Sequence, residues 1–136
     1  MIIIACLDDH NGILFNNRRQ SKDARLRERM LEVCGEGPLW MNTYSAAQFS
    51  EAAPNIRVAE NFLEKAGPGE YCFVENSDLT GVSNQAEGLV LYRWNRTYPS
   101  DVKFPIELFS YKWKLMSEVD FEGSSHERIT QEVYVL

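Results

Sequence analysis

The sequence predicts an α/β fold in which a mixed, mainly parallel central sheet is flanked by helices and completed by a C-terminal antiparallel hairpin. Short apolar segments alternate with helical segments up to residue 94, a pattern typical of parallel strands joined by crossover helices. Residues 112–121 and 129–136 are rich in β-forming residues and flank a polar turn, which predicts the hairpin. With 136 residues, the chain is predicted to form one domain spanning residues 1–136.

The predicted strands before the hairpin are short and apolar, as expected of strands covered on both faces. They lie at residues 2–7, 38–42, 55–60, 70–76 and 88–94. Between the first of these strands and the first helix, the segment HNGILFNN at residues 10–17 contains Asn11-Gly12, a dipeptide suited to positive φ. That segment is therefore predicted to be a loop.

The longest predicted helix begins near Ser21, and Gly35 is placed to end it. Its apolar residues recur at helical spacing and form one stripe: Leu26, Met30, Leu31 and Cys34. A second, brief helix is predicted over AAQFSEAA, residues 46–53, with the Ser45 hydroxyl as its N-terminal cap. Further helical turns are predicted within residues 61–66 and 77–86.

The composition argues against two classes of partner. The formal net charge is -6, and an acidic surface repels nucleic-acid phosphates and anionic membranes. The apolar start MIIIACL meets Asp8 after seven residues, so it is predicted to be a strand rather than a signal peptide or membrane span. The three cysteines, an odd number, each lie in an apolar stretch, which predicts buried, reduced thiols and a cytoplasmic location.

The order of these segments resembles the dihydrofolate reductase family over nearly the whole chain. MIIIACLDDHNGILFNN resembles the first strand and the N-G-I-x-[YF]-N-N loop of that family, and PLWMNTYSAAQF resembles its next strand-to-helix segment. DVKFP, residues 101–105, matches the D-x-x-F-P signature before the closing hairpin. The chain is shorter than the family between Glu60 and Glu70. The resemblance implies a dihydrofolate reductase-like fold, and each site is assessed separately because a fold does not carry a function.

The resemblance implies that NADPH phosphates would meet a Gly-Arg-x-Thr turn at a helix N-terminus. The matching positions are Asn42, Thr43, Tyr44 and Ser45. Ser45 keeps a hydroxyl, but Thr43 stands where the family has an arginine that supplies charge and a bidentate fork. This half of the cofactor site is therefore predicted to be incomplete.

A second turn of the family consists of glycines that let the cofactor diphosphate approach the backbone, and the matching residues are Glu75 and Asn76. Two like charges about 4 Å apart repel by ~4 kcal/mol at an effective dielectric near 20. Ordinary NADPH binding is therefore not expected. Glu75 is predicted to cap a helix that begins near Ser77, where a carboxylate is favourable, and the alternative is that Glu75 recognises a ligand.

The resemblance also implies a buried carboxylate in the first helix that protonates a pterin. Strict spacing puts Leu26 at that position, whereas a short deletion would put Asp23 there. Asp23 is therefore the candidate catalytic acid, and its alternative is a solvated aspartate that favours the helix dipole. The strand position near the pterin is Tyr92, which would crowd a bicyclic ring.

Six of the fourteen lysines and arginines fall within residues 18–29. The candidate anion-binding residues among them are Arg18, Arg19, Lys22 and Arg25. The alternative for this segment is a solvated helix face.

No metal site is predicted, because His10 and His126 are isolated from other ligands. The carboxylates of DDH at 8–10 suit at most a weakly held cation, and His126 is predicted to be a turn residue.

The sequence therefore predicts a non-catalytic role without a cofactor, either binding of a small molecule or recognition of a protein partner. The first alternative is an NADPH-dependent pterin-type reductase with an altered cofactor site and Asp23 as proton donor. The second alternative is an anion-binding or RNA-binding protein that uses the cations of residues 18–29.

Overall fold

The structure, a computed structural model, describes residues 1–50, 53–108, 110 and 112–136. Its strands are β1 (Ile2–Leu7), β2 (Gly12–Phe15), β3 (Arg18–Arg19), β4 (Leu39–Met41), β5 (Ile56–Val58), β6 (Tyr71–Phe73), β7 (Gly88–Arg93), β8 (Val102–Lys103), β9 (Lys114–Phe121) and β10 (Ile129–Val135). Its helices are α1 (Ala24–Cys34), α2 (Thr43–Ala46), α3 (Phe62–Lys65) and a 3-10 helix at Ser83–Gln85.

Seven strands form one mixed sheet in the order β5-β4-β6-β1-β7-β10-β9. The neighbours from β5 to β7 are parallel, and β10 is antiparallel to both β7 and β9. The predicted mixed, mainly parallel sheet with a C-terminal antiparallel hairpin is therefore confirmed. The strand β1 lies in the middle of the sheet, and the side chains of Ile3, Ile4 and Leu7 are fully buried.

Each face of the sheet carries its own hydrophobic cluster. On one face, α1 buries Leu26, Met30 and Cys34 in a cluster with Tyr92, as its predicted stripe requires. The opposite face is covered by Phe62 of α3 and by loop residues, among them Phe104, Leu108 and Trp113. The helix α1 ends at Gly35, whose φ of 56° is a conformation that glycine adopts without strain. The predicted end of the helix is therefore confirmed.

The segment 10–17 is more ordered than predicted. Gly12–Phe15 forms β2, which pairs with β3 and β8 in a separate three-stranded antiparallel sheet. The turn into β3 is Asn16-Asn17, and both residues have positive φ, as a two-residue hairpin turn requires. The loop prediction is wrong because Ile13 and Leu14 bury their side chains in the core. This hairpin brings Arg18 and Arg19 to the edge of the main sheet.

Two predicted helices differ in the structure. The helix α2 begins at Thr43, and its cap is Asn42, whose side chain accepts a hydrogen bond from the Ser45 amide. Ser45 therefore lies inside the helix rather than at its cap, and residues 47–50 are not helical. The last part of the predicted helix, residues 51–52, lies outside the described residues.

Residues 77–86 form only the short 3-10 helix at Ser83–Gln85. Because no helix begins near Ser77 in this described segment, Glu75 does not cap one, and that prediction is wrong.

The three cysteines are free thiols, and burial raises the pKa of Cys34 and of Cys72 to about 12, so both thiols stay protonated. No helix in the described part of the chain has the length and apolar character needed to cross a membrane.

Candidate functional site

The carboxyl ends of β1, β4 and β6 meet at one edge of the sheet, the usual position of ligand sites in open α/β folds. The residues matched to the family's cofactor turns come together at this edge, and they bind one another. Asn42 Nδ2 donates to Asn76 Oδ1 at 2.8 Å, and Ser45 Oγ donates to Glu75 Oε1 at 2.8 Å. Thr43 turns away and donates its amide and hydroxyl to Glu60.

An ion pair between Arg19 and Glu75 occupies the centre of this edge. Arg19 Nε lies 2.9 Å from Glu75 Oε2, and Arg19 Nη2 lies 3.1 Å from Oε1, so the pairing is bidentate. Gln48 Nε2 donates to the same Oε1 at 3.0 Å. The Arg19 guanidinium also lies 4.2 Å above the centre of the Tyr44 ring and donates to the Tyr44 carbonyl. These residues form what we call the plug: Arg19, Tyr44, Ser45, Gln48 and Glu75.

The plug changes the physical argument about the diphosphate turn. The sequence suggested a free carboxylate facing phosphates, whereas the structure shows that Glu75 is 8% exposed and neutralised by Arg19. Repulsion of a ligand by a paired charge is weaker than by a free one. The obstruction is therefore mainly occupied volume. The cavity that remains beside Cys6, Glu75 and Trp94 measures about 10 Å³, too little to accept more than one water molecule.

The region between α1 and the sheet is also filled by the protein's own side chains. Tyr92 is fully buried, and its hydroxyl donates to Gln131 Oε1 at 3.1 Å. Leu26 and Met30 pack in the same cluster, and the rings of Phe49 and Phe73 meet edge to face at 6.0 Å. The sequence predicts that Tyr92 would crowd a bicyclic ring, and in the structure Tyr92 is part of a continuous hydrophobic cluster.

Asp23 is a buried helix cap. Its side chain is fully buried and accepts hydrogen bonds from the amides of Leu26, Ser124 and Ser125. The description of a solvated aspartate is therefore wrong. Burial alone would raise the pKa of Asp23, but the Ser125, Ser124 and Leu26 amides and His126 together hold it well below its ordinary value. The carboxylate is therefore ionised at neutral pH, whereas a proton donor must carry a proton.

His126 lies in the β9–β10 turn as predicted, but it is a buried residue that joins three parts of the chain. Its Nδ1 lies 3.2 Å from Asp23 Oδ2, and its Nε2 lies 2.8 Å from the Tyr98 hydroxyl and 3.3 Å from Ser21 Oγ. Its ring stacks on Trp94 with 4.5 Å between centroids. Sequence reasoning missed this cluster because its members are far apart in the chain.

Gly123 offers a direct test of how tightly the turn seats on Asp23. A Cβ at this position would lie 2.5 Å from Asp23 Oδ2 and 2.9 Å from the His126 carbonyl. We expect Gly123→Ala to lower the free energy of unfolding by about 2 kcal/mol, measured by urea denaturation. The matched control is Gly81→Ala, where a Cβ meets no atom within 4 Å and the effect should stay below about 0.5 kcal/mol. Equal effects would mean that the turn is not seated as described.

Open space lies outside the plug. Two adjoining pockets of about 520 and 540 Å³ share Arg18, Arg19 and Tyr98 in their walls. The second is also lined by Lys22 and Arg96. We call this surface the basic groove, defined by Arg18, Arg19, Lys22, Arg96 and Tyr98.

The structure separates the predicted anion-binding residues. Arg18, Arg19 and Lys22 line the basic groove, whereas Arg25 does not and instead pairs with Glu28 on the exposed surface of α1. Arg29 lies over the Phe121 ring and donates to Gln131. The cations of residues 18–29 therefore do not form one surface. Arg96, which sequence reasoning did not single out, joins them through the fold.

The Asp8 carboxylate of the DDH segment binds backbone amides of the protein itself. It is buried and accepts from the amides of His10, Gly12 and Tyr98, which lower its pKa although burial alone would raise it. Within the described ranges, no three histidine, cysteine or carboxylate side chains lie together in a way that suits a metal ion.

The fold is similar to that of dihydrofolate reductase from Enterococcus faecalis, solved in complex with NADP(H) and RAB-propyl. The TM-score is 0.66 at 12% sequence identity, and the match covers 98% of this chain and 94% of the reductase chain. No protein-family model matches the sequence, and no curated protein matches it. The chain has a dihydrofolate reductase-like fold, so the fold implied by the resemblance is confirmed. At this identity the likeness concerns the fold alone.

Proposed function

We propose that this protein is a non-catalytic ligand-binding domain with a dihydrofolate reductase-like fold, whose ligand occupies the basic groove rather than the cleft at the strand ends. The observation that carries the proposal is the plug. It leaves a cavity of about 10 Å³ beside Glu75, whereas pockets for small molecules measure roughly 300–1,000 Å³. A nicotinamide ring would have to displace a bidentate ion pair to enter.

The basic groove supports the second half of the proposal. Its two pockets, of about 520 and 540 Å³, have the size of small-molecule sites. Its walls combine charged groups with the Tyr98 ring, so they offer both orientation and contact area.

The observation that favours the reductase alternative is the similar solved structure, which is a reductase complexed with NADP(H). Hydride transfer to a pterin needs a proton donor, and Asp23 is held in its ionised form. Leu26, the other position implied by the resemblance, is apolar and buried. Neither residue supports the acid step.

We expect that the purified protein does not oxidise NADPH in the presence of dihydrofolate. The absorbance of the reduced nicotinamide measures this reaction. The reference is an active dihydrofolate reductase at equal concentration. Turnover that is lost in Asp23→Asn would contradict the proposal and support the reductase alternative. Turnover that is unchanged in Asp23→Asn and persists after repurification would also contradict the proposal.

A further inference from the structure

We infer that the ligand of the basic groove is a phosphate ester that carries a planar ring. This inference rests on the proposed function, because it specifies the ligand of the same groove. The groove concentrates positive charge in a chain whose net charge is -6. Its charged wall residues are Arg18, Arg19, Lys22 and Arg96, and no carboxylate of the described residues lines either pocket. A concave wall of one sign focuses the potential and attracts an anion.

Most of this charge is available to a ligand. Arg19 is committed to Glu75 and Tyr44. Arg18, Lys22 and Arg96 are exposed, and no carboxylate among the residues that the structure describes forms an ion pair with them. Two guanidinium groups and one ammonium can surround a phosphate, with each arginine able to donate to two of its oxygens. A carboxylate ligand would satisfy fewer of these donors.

Aromatic and guanidinium surfaces account for the planar ring. Tyr98 lines both pockets, and its hydroxyl is held in place by His126 Nε2 at 2.8 Å. Phe15 lines the first pocket and is 43% exposed, which leaves a ring surface uncovered. Heteroaromatic rings stack on tyrosine, phenylalanine and arginine planes. The volume of each pocket suits one mononucleotide-sized molecule rather than a long track of bases.

The test is isothermal titration of adenosine 5′-monophosphate, adenosine and inorganic phosphate into the whole protein. We expect the monophosphate to bind at least about tenfold more tightly than adenosine, because one charge-assisted contact contributes about 1.4 kcal/mol or more. Arg18→Gln and Arg96→Gln should each weaken binding of the monophosphate about tenfold. The matched controls, Arg25→Gln and Arg57→Gln, remove exposed arginines outside the groove and should change the affinity by less than about twofold.

Three results would overturn the inference: no binding of the monophosphate, equal affinity for adenosine, or unchanged affinity in both groove variants. A single-stranded RNA of about ten nucleotides that binds more than tenfold tighter than the monophosphate would also overturn it and assign the groove to nucleic acid. Circular dichroism of each variant verifies that it is folded. If the monophosphate does not bind and NADPH is not oxidised, the inference fails but the conclusion that the cleft at the strand ends is filled does not. If the monophosphate binds and NADPH is oxidised, the proposed non-catalytic function fails but the inference about the groove does not.

Discussion

Replacement of Glu75 by alanine is expected to lower the free energy of unfolding by about 3 kcal/mol. The substitution leaves the Arg19 guanidinium without its bidentate partner and removes the acceptor of Ser45 Oγ and Gln48 Nε2. Breaking a buried ion pair costs about 3–5 kcal/mol, and the lower end applies because Arg19 is 21% exposed. Urea denaturation of the variant and the wild type measures the difference.

The matched control is Glu28→Ala, which removes an acidic partner of an arginine at the exposed surface. Surface pairs contribute about 0–1 kcal/mol, so this control should have a small effect. The double variant Arg19→Met/Glu75→Met should regain part of the lost stability because it removes both charges together. An effect of Glu75→Ala no larger than that of Glu28→Ala would show that the plug does not exist in solution.

Replacement of Asp23 by alanine is the second large effect, again about 3 kcal/mol. It removes the cap of α1 and leaves the amides of Leu26, Ser124 and Ser125 without their acceptor. The turn between β9 and β10 would then lose its anchor on the helix. The control is Asp78→Ala, an exposed residue whose carboxylate accepts from the Thr80 amide two residues away, with an expected loss below about 1 kcal/mol. Equal losses would contradict the anchoring role.

The role of Asp23 also predicts a dependence on pH. Its pKa in the folded state lies below the ordinary value of 3.8, so the stabilisation is complete above that value and is lost as the pH falls further. The difference in unfolding free energy between wild type and Asp23→Ala should therefore shrink as the pH falls below about 4. A difference that stays constant down to about pH 2 would contradict the low pKa.

The fold was predictable from local patterns because each core element carries its own signal. The unbroken apolar run of β1 indicated a central strand, and the apolar stripe of α1 followed by Gly35 indicated a helix and its end. The hairpin of β2 and β3 was missed although Asn16-Asn17 suits a positive-φ turn. Asn11-Gly12 also suits positive φ, and this dipeptide is the basis of the loop prediction.

The site was only partly predictable because its contacts join distant parts of the chain. The resemblance to the reductase family indicates Glu75, but its partner Arg19 is 56 residues away, in the segment where the sequence predicts an anion site. Asp23 and His126 are 103 residues apart, and neither residue alone indicates the other. Charge in a sequence shows that an ion pair is available, and only the fold determines which charges meet.

A crystal structure of the protein soaked with NADPH tests the central claim most directly. The account predicts that Glu75 Oε2 stays about 2.9 Å from Arg19 Nε and that any bound nucleotide lies in the basic groove, with its phosphates near Arg18 and Arg96. A nicotinamide ring seated against β1, with the Glu75 carboxylate displaced from Arg19, would contradict it.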